Sequence, residues 1–368
     1  MVGVLSSSRV SALNGSSLRT RRSCSRTRAV CQRPRTSIAS VPRRLGNLVL
    51  LAAIATLLVS GIVAWLLPDT AAGILYLTHR VAGVALVLAL VWKYGVARRS
   101  LRRRGVRGSG VWIGLATAGL TFTAAGLGLA WTAGLVSFDR PFAYSALNIH
   151  VITGLGLAAI VVAHVLARGE SRPALVTLAG RRAALRGLAL LAASFVVTVA
   201  LDRVALARRG SGSRHAGSFT GNAFPMTIWS LDSVPTVDVD SWRLRVSGSA
   251  SARPIELSYA DLGALPRREA SVVLDCTGGW WSEQRWSGVS LMDVLARSGM
   301  GQGATRVEVV SLTGHRWTFD RSEAEQALLA THVGGERLSP GHGYPLRLVV
   351  PNLRGFLWIK WVGGVVAA

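Results

Sequence analysis

Cysteine is scarce in this sequence: three in 368 residues, at positions 24, 31 and 276. There is no CxxC pair, no phosphate-binding glycine loop and no Ser–His–Asp ordering, so the local patterns of metal ribbons, nucleotide cradles and triad hydrolases are all missing. Acidic residues are few, 18 against 42 basic ones, and of the basic residues only Lys93 and Lys360 are lysines. A net charge of +24 would suggest a nucleic-acid partner if it lay on one soluble module. Here the arginines cluster beside long apolar runs, and no nucleic-acid partner is expected.

Those runs are what the sequence has in abundance. Residues 1–46 hold ten arginines and no Asp or Glu and read as a basic, disordered cytoplasmic segment. Residues 47–206 read as a five-helix transmembrane domain, with runs at about 47–67, 74–96, 111–137, 146–167 and 183–201, each near the ~20 residues a bilayer requires. The first run follows "VPRRLGN" without a small-residue cleavage site and reads as a retained helix. The loops 97–108 and 168–186 carry six and five arginines, whereas 68–73 and 138–145 share one. The positive-inside rule then places the N-terminus in the cytoplasm and the C-terminal domain outside a cell membrane, with lipid as a partner. Arg203, Arg208 and Arg209 sit on the outer side and weakly oppose that assignment. Arg181 and Arg182 before the fifth run resemble a twin-arginine export signal, used for domains exported already folded.

Histidines inside membrane spans are costly and usually functional. His79 and His150 lie about six and five residues from the outer ends of the second and fourth runs. Two imidazoles at one depth on neighbouring helices are able to supply both axial ligands of a b-type haem; the alternative is hydrogen bonding within a structural bundle. His164, fourteen residues beyond His150, would serve a second, inner haem, but its counterpart after His79 is Lys93, a poor ligand match. One outer haem is therefore expected. The bundle resembles the four-helix cytochrome b modules of bacterial membrane oxidoreductases.

After a Gly/Ser/Arg linker (207–215), residues 216–368 read as a mixed α/β, strand-rich domain. "SWRLRVSGS" (241–249) alternates like a strand, Ser258 opens a short helix, and "ASVVLDC" is a buried-type strand ending at Cys276. Ser290 caps an amphipathic helix, "TRVEVVSLTGHRWTF" reads as strand–turn–strand, and "YPLRLVVPN" and "FLWIKWVGG" as two closing strands. A lone exported cysteine forms no intrachain disulfide; it is a spare thiol, an intermolecular partner or a ligand. The glycines after it would let a bulky group approach the backbone. His342, Arg347, Arg354 and Lys360, near turns and strand ends, form a donor set suited to a phosphorylated heterocyclic cofactor.

The stretches "FTGNAFP" (219–225), "VLDCTGG…RWSGVSLMDVL" (273–295) and "SPGHGYPLRLVVP…GFLWIKWVGG" (339–364) together resemble the molybdopterin-binding domain of the sulfite oxidase family. The resemblance implies Mo-molybdopterin as cofactor and Cys276 as the thiolate on molybdenum. It implies that Asn222, Pro225, Met226, His342, Arg347, Trp358, Ile359 and Lys360 line the pterin site, with Ser311 a weaker match; for Arg354, of the donor set above, the alternative is a solvated surface arginine. Sulfite-oxidising members carry arginines after the cysteine and near the asparagine motif; here those positions are neutral, with Arg285 a conceivable substitute. The chain also ends after the last strand, without the family's immunoglobulin-like dimerisation domain, so a monomeric outer domain is expected. The whole reads as a membrane-anchored molybdenum oxidoreductase exchanging electrons through haem b with the quinone pool or an extracytoplasmic redox protein. Its substrate would be a small molecule or an oxidised side chain. The alternative is a non-catalytic electron-transfer or cofactor-binding protein with a degenerate domain.

Overall fold

A computed structural model describes residues 40–104, 109–136, 145–168, 181–204, 208–228, 232–300 and 304–368. Cys24, Cys31, most of the basic N-terminal segment, and most of the 138–145 and 168–186 loops lie outside the described residues. The apolar runs are the helices α1 (Ser40–Leu66), α2 (Asp69–Arg104), α3 (Ser109–Thr132), α4 (Ala146–Arg168) and α5 (Arg181–Val204). All five are long and apolar enough to cross a membrane. Helix α2 pairs with α1 and α5, and α3 with α4.

Several boundaries differ from the sequence reading; α1 begins at Ser40, within the segment 1–46 read as disordered, and α2 at Asp69. The arginine-rich stretch after residue 97, read as a loop, continues α2 through Arg104, because Arg and Leu are good helix formers and nothing there breaks the backbone. Helix α3 stops five residues earlier than its apolar run. Gly134 takes a left-handed φ of 73° and Leu135 N–H reaches back to Ala130 O at 2.9 Å, a Schellman-type stop.

The C-terminal domain holds two sheets. In the larger, β5 (Trp280–Ser290) pairs from Trp280 to Val289 with β4 (Arg267–Cys276), and its far side takes β1 (Arg214–His215) and β8 (Leu328–Val333). Strands β9 (Glu336–Arg337) and β10 (Arg347–Val349) add to β8. Residues 214 and 215, read as linker, are thus built into this sheet. The smaller sheet runs β3 (Ile255–Leu257), β2 (Leu244–Ser247), β11 (Val362–Ala367), β6 (Arg306–Ser311), β7 (Arg316–Asp320). The last strand of the chain is therefore central, parallel to β2 and antiparallel to β6.

Local chemistry sets the helices between the strands. Ser258 and Asp261 form a capping box on α6 (Tyr259–Gly263), and Asp320 and Glu323 another on α8 (Arg321–Gln326). Ser290 caps α7 (Leu291–Arg297) by accepting from Met292 N at 3.2 Å. Trp286, Leu291, Leu329, Leu348 and Val365 sit at the centre of the core, none of them accessible.

"FLWIKWVGG" is not one strand. A 3-10 turn (Gly355–Leu357) and a positive φ of 52° at Trp361 break it, and only Val362 onward joins a sheet. Leu348 N–H to Ile359 O and Val362 N–H to Leu346 O, both 2.8 Å, hold the irregular segment against β10. That kink presents Lys360 to the cleft described below.

Strand β5 is bulged between Ser287 and Gly288, where β8 comes so close that a Cβ on Gly288 would lie 2.0 Å from Leu329 O. Gly288→Ala is therefore expected to destabilise the C-terminal domain by about 1–3 kcal/mol, the usual scale of overpacking. Gly263→Ala, where an added methyl meets open space, should not. Thermal melts of the two variants in detergent check the contrast.

Candidate active site

The β4–β5 hairpin delivers Cys276. It is the last residue of β4, and the turn Thr277–Gly279 is closed by Gly279 N–H on Cys276 O at 3.0 Å, with Gly279 at φ 87°. Gly278 N–H donates to the sulfur at 3.3 Å, and the thiol lies 3.4 Å from Thr227 Oγ1, which also accepts from Trp280 Nε1. The thiol is nearly buried and stands at the wall of a cavity of about 300 Å³.

Pro225, Ser311, His342, Arg347, Trp358 and Lys360 line the same cavity. Arg347 is buried between the rings of Trp286 and Trp358, with centroid distances of 5.1 and 5.8 Å, and donates to His342 O at 3.0 Å. Burial pulls its guanidinium down to about 10. Lys360 Nζ donates to the carbonyls of Thr227 (2.8 Å) and Gly341 (2.7 Å). Burial, reinforced by the Arg347 charge, lowers its ammonium to about 7. His342 is pushed down to about 4 by burial and by Arg347. Its Nε2 faces Phe224 O at 3.0 Å; a carbonyl only accepts, so Nε2 carries the proton, and Nδ1 meets Ser339 Oγ at 2.7 Å. His342 is thus a neutral spacer, not a cation.

Two buried donors of this set, Arg347 Nε and Trp358 Nε1, have no partner among the described residues. An unpaired buried donor is costly. A cavity that gathers two of them with a second cation and a thiol fits an anionic, acceptor-rich group that also carries a soft metal.

Other expected site residues are elsewhere. Asn222 is outside the lining; its side chain donates to Glu336 Oε2 and Arg337 O and accepts from Ser339 N–H at 2.8 Å, clamping the segment that bears His342. Met226 is 53% exposed beside Gly341. Ile359 is wholly buried core. Arg285 is exposed on β5 opposite Ser271, away from the cleft. Arg354 lies beneath the cysteine, paired with Asp275 Oδ1 and donating to Cys276 O (3.4 Å), Ser213 Oγ (3.3 Å) and Trp65 O (3.2 Å).

The sequence reading missed Thr227, Asp232 and His315, which line the cavity, and Asp275, which holds its floor. A signal for Asp275 existed: a carboxylate inside an apolar strand requires a partner. No local pattern marked Trp65 and Asn148, residues at the end of α1 and the start of α4 that also border the cavity.

In the helical bundle, the His79 and His150 ring centroids are 5.9 Å apart. His79 Nδ1 meets Leu57 O at 2.9 Å and His150 Nδ1 meets Ala124 O at 2.8 Å, which fixes the proton on each Nδ1 and leaves each Nε2 a lone pair. Gly61 and Gly128 make room for the rings: a Cβ there would lie 2.7 and 3.2 Å from them. His164 and Lys93 fall in α4 and α2, with side chains outside the described residues.

Residues 231–368 match the family model of the oxidoreductase molybdopterin binding domain. Rat mitochondrial sulfite oxidase is 32% identical over 178 residues, which are 40% of this chain and 31% of that protein. An uncharacterized oxidoreductase of Bacillus subtilis, YuiH, is 35% identical over 133 residues, 35% of this chain and 66% of that one. Spinach NADH nitrate reductase is 29% identical over 168 residues, 36% and 18% of the two chains. The chain spans about a third of the length of the sulfite oxidase it matches. Its C-terminal part is thus similar to the molybdopterin-binding oxidoreductase domains of sulfite oxidases and nitrate reductases.

The Lys360 shift has a definite sign. Between about pH 7 and its ordinary value of 10.5, the unfolded chain holds a proton that the folded chain has released. Stability of cofactor-free protein should therefore rise with pH through that window, and Lys360→Met should flatten the rise, read from melting temperature against pH. Asp275→Ala strands a buried guanidinium and should cost about 3–5 kcal/mol. The exposed Arg285→Ala should stay within about 0.5 kcal/mol, in the same melts.

Proposed function

We propose that this protein is a membrane-anchored, molybdenum-cofactor-dependent oxidoreductase whose site faces outward and which exchanges electrons through a haem b held by His79 and His150. The observation that carries the first part is the cleft: one thiol, two cations and two unpaired buried donors around a single cavity. Cys276 is the thiolate ligand. Arg347, Lys360 and Trp358 Nε1 hold the phosphate and ring acceptors of the pterin, while His342 and Ser311 support that wall. When bound, molybdenum supplies two-electron oxygen-atom transfer and haem supplies one-electron transfer. The chain's own part is to hold the sulfur on a rigid hairpin, to keep Lys360 poised near neutrality, and to shield the cavity from water behind Trp358 and Phe224.

The haem reading is supported by spacing. The ring centroids of His79 and His150 lie 5.9 Å apart, so the two imidazoles would together hold the iron of one haem. The tautomer fixed by the backbone carbonyls is the one a metal requires. Membrane insertion with the N-terminus inside is supported by the five apolar helices and the arginine asymmetry of their loops. Arg181 and Arg182, at the start of α5, are where a signal for export of a folded, cofactor-loaded domain belongs. The redox partner is the quinone pool or an extracytoplasmic redox protein, and the substrate a small molecule or an oxidised side chain.

The test is metal content by elemental mass spectrometry on full-length protein from a host that makes the cofactor, with an optical spectrum of the same sample. Near-stoichiometric molybdenum is expected, with turnover lost in Cys276→Ser. A bis-imidazole haem spectrum should vanish in His79→Ala and His150→Ala. Well-folded protein without molybdenum would overturn the enzyme reading, and protein without haem the electron route.

A further inference from the structure

Helix α4 closes the cysteine cleft. Asn148, Val151, Ile152 and Leu155 border it, spaced i, i+3, i+4 and i+7 along one face. The opposite face of the same helix, Leu147, His150, Gly154 and Leu157, borders the histidine cavity. The seam is tight on both sides of the turn. Trp65 Nε1 donates to Thr277 O at 2.8 Å, and a Cβ on Gly279 would lie 2.6 Å from both Leu147 and Trp131.

Two properties of this wall set what the cleft admits. It is uncharged: the charged lining residues, Asp232, Arg347 and Lys360, all belong to the outer domain. It also lies within the apolar span Ala146–Ala163, with Ile152 60% and Leu155 50% exposed on the face that a bilayer would cover. An anion pressed against this wall would surrender hydration for no counter-charge. An alkyl group there would gain by leaving water.

We propose that the substrate is a neutral molecule with an apolar body, entering from the outer leaflet between α4 and the outer domain, and not an oxyanion entering from the aqueous side. This rests on the reading of the cleft as the molybdenum site; the choice of substrate class rests on α4.

The experiment uses molybdenum-loaded full-length protein in nanodiscs, with metal content measured first. The probes are methyl alkyl sulfoxides of increasing chain length, with sulfite and nitrate as the oxyanions. Reduced viologen supplies the electrons for sulfoxide and nitrate, and ferricyanide accepts them from sulfite. In the sulfoxide reaction the S=O bond breaks: two electrons from viologen and two protons from solvent convert the sulfoxide to the sulfide, and its oxygen leaves as water. kcat/KM is expected to rise about two- to fourfold per added CH2 over the first few carbons. The rise should shrink in Leu155→Ala and Ile152→Ala. A diazirine at the end of the alkyl chain should label the peptide 146–168 in wild-type protein, a readout independent of turnover. A flat chain-length series, preference for sulfite or nitrate, or label confined to outer-domain peptides would overturn the proposal. If loaded protein turns over none of the probes, the label alone decides: on 146–168 it sustains the proposal, elsewhere it overturns it. Absence of molybdenum overturns the underlying cofactor reading and is read separately.

Discussion

The structure around the cleft depends on one buried ion pair. Asp275, next to the cysteine in β4, meets Arg354, whose side chain is 1% exposed. A pair this deep holds only if its remaining hydrogen-bonding capacity is used. It is: Asp275 also takes Ser211 Oγ at 2.8 Å and Arg209 Nε at 3.2 Å, and Arg354 donates to Ser213 Oγ and to the carbonyls of Cys276 and Trp65. One carboxylate thereby binds the segment leaving α5 to the hairpin bearing the thiol. One guanidinium joins that hairpin to the end of α1. The orientation of the cysteine and the seat of the C-terminal domain on the helices are one network.

That seat explains why α4 borders both cavities. The turn after Cys276 rests on Trp131 and Leu147, and Arg214 stacks on Trp131 at 3.9 Å while donating to Val136 O. With the turn pinned there, the outer face of α4 becomes a wall of the thiol cleft and the inner face carries His150.

Legibility in the sequence followed the range of the interactions. The five apolar runs, the capped helices and the strand ending at Cys276 were readable because their causes are local: span length, capping chemistry and two-residue alternation. Pro225, Ser311, His342, Arg347, Trp358 and Lys360 came with the motif resemblance, and they line one cavity. Asn222, Met226 and Ile359 came with the same motifs, and Arg354 with the donor set, and none of the four lines it. Near the cleft, residues that touch the cavity and residues that brace it alternate within a few positions, and a motif does not separate them. "FLWIKWVGG" failed as a strand because a left-handed residue at Trp361 overrides its β propensity.

By itself, the sequence determined that the chain has an apolar helical half and a strand-rich half, and that a single cysteine ends a buried strand in the latter. These follow from composition and short-range periodicity. Only the tertiary structure decided that Arg354 is a strut, that β11 is central, and that Trp65 and Asn148 border the cleft. The physical reason is separation: Trp65 and Arg354 are 289 positions apart, and a contact closed over such a distance leaves no local pattern to read.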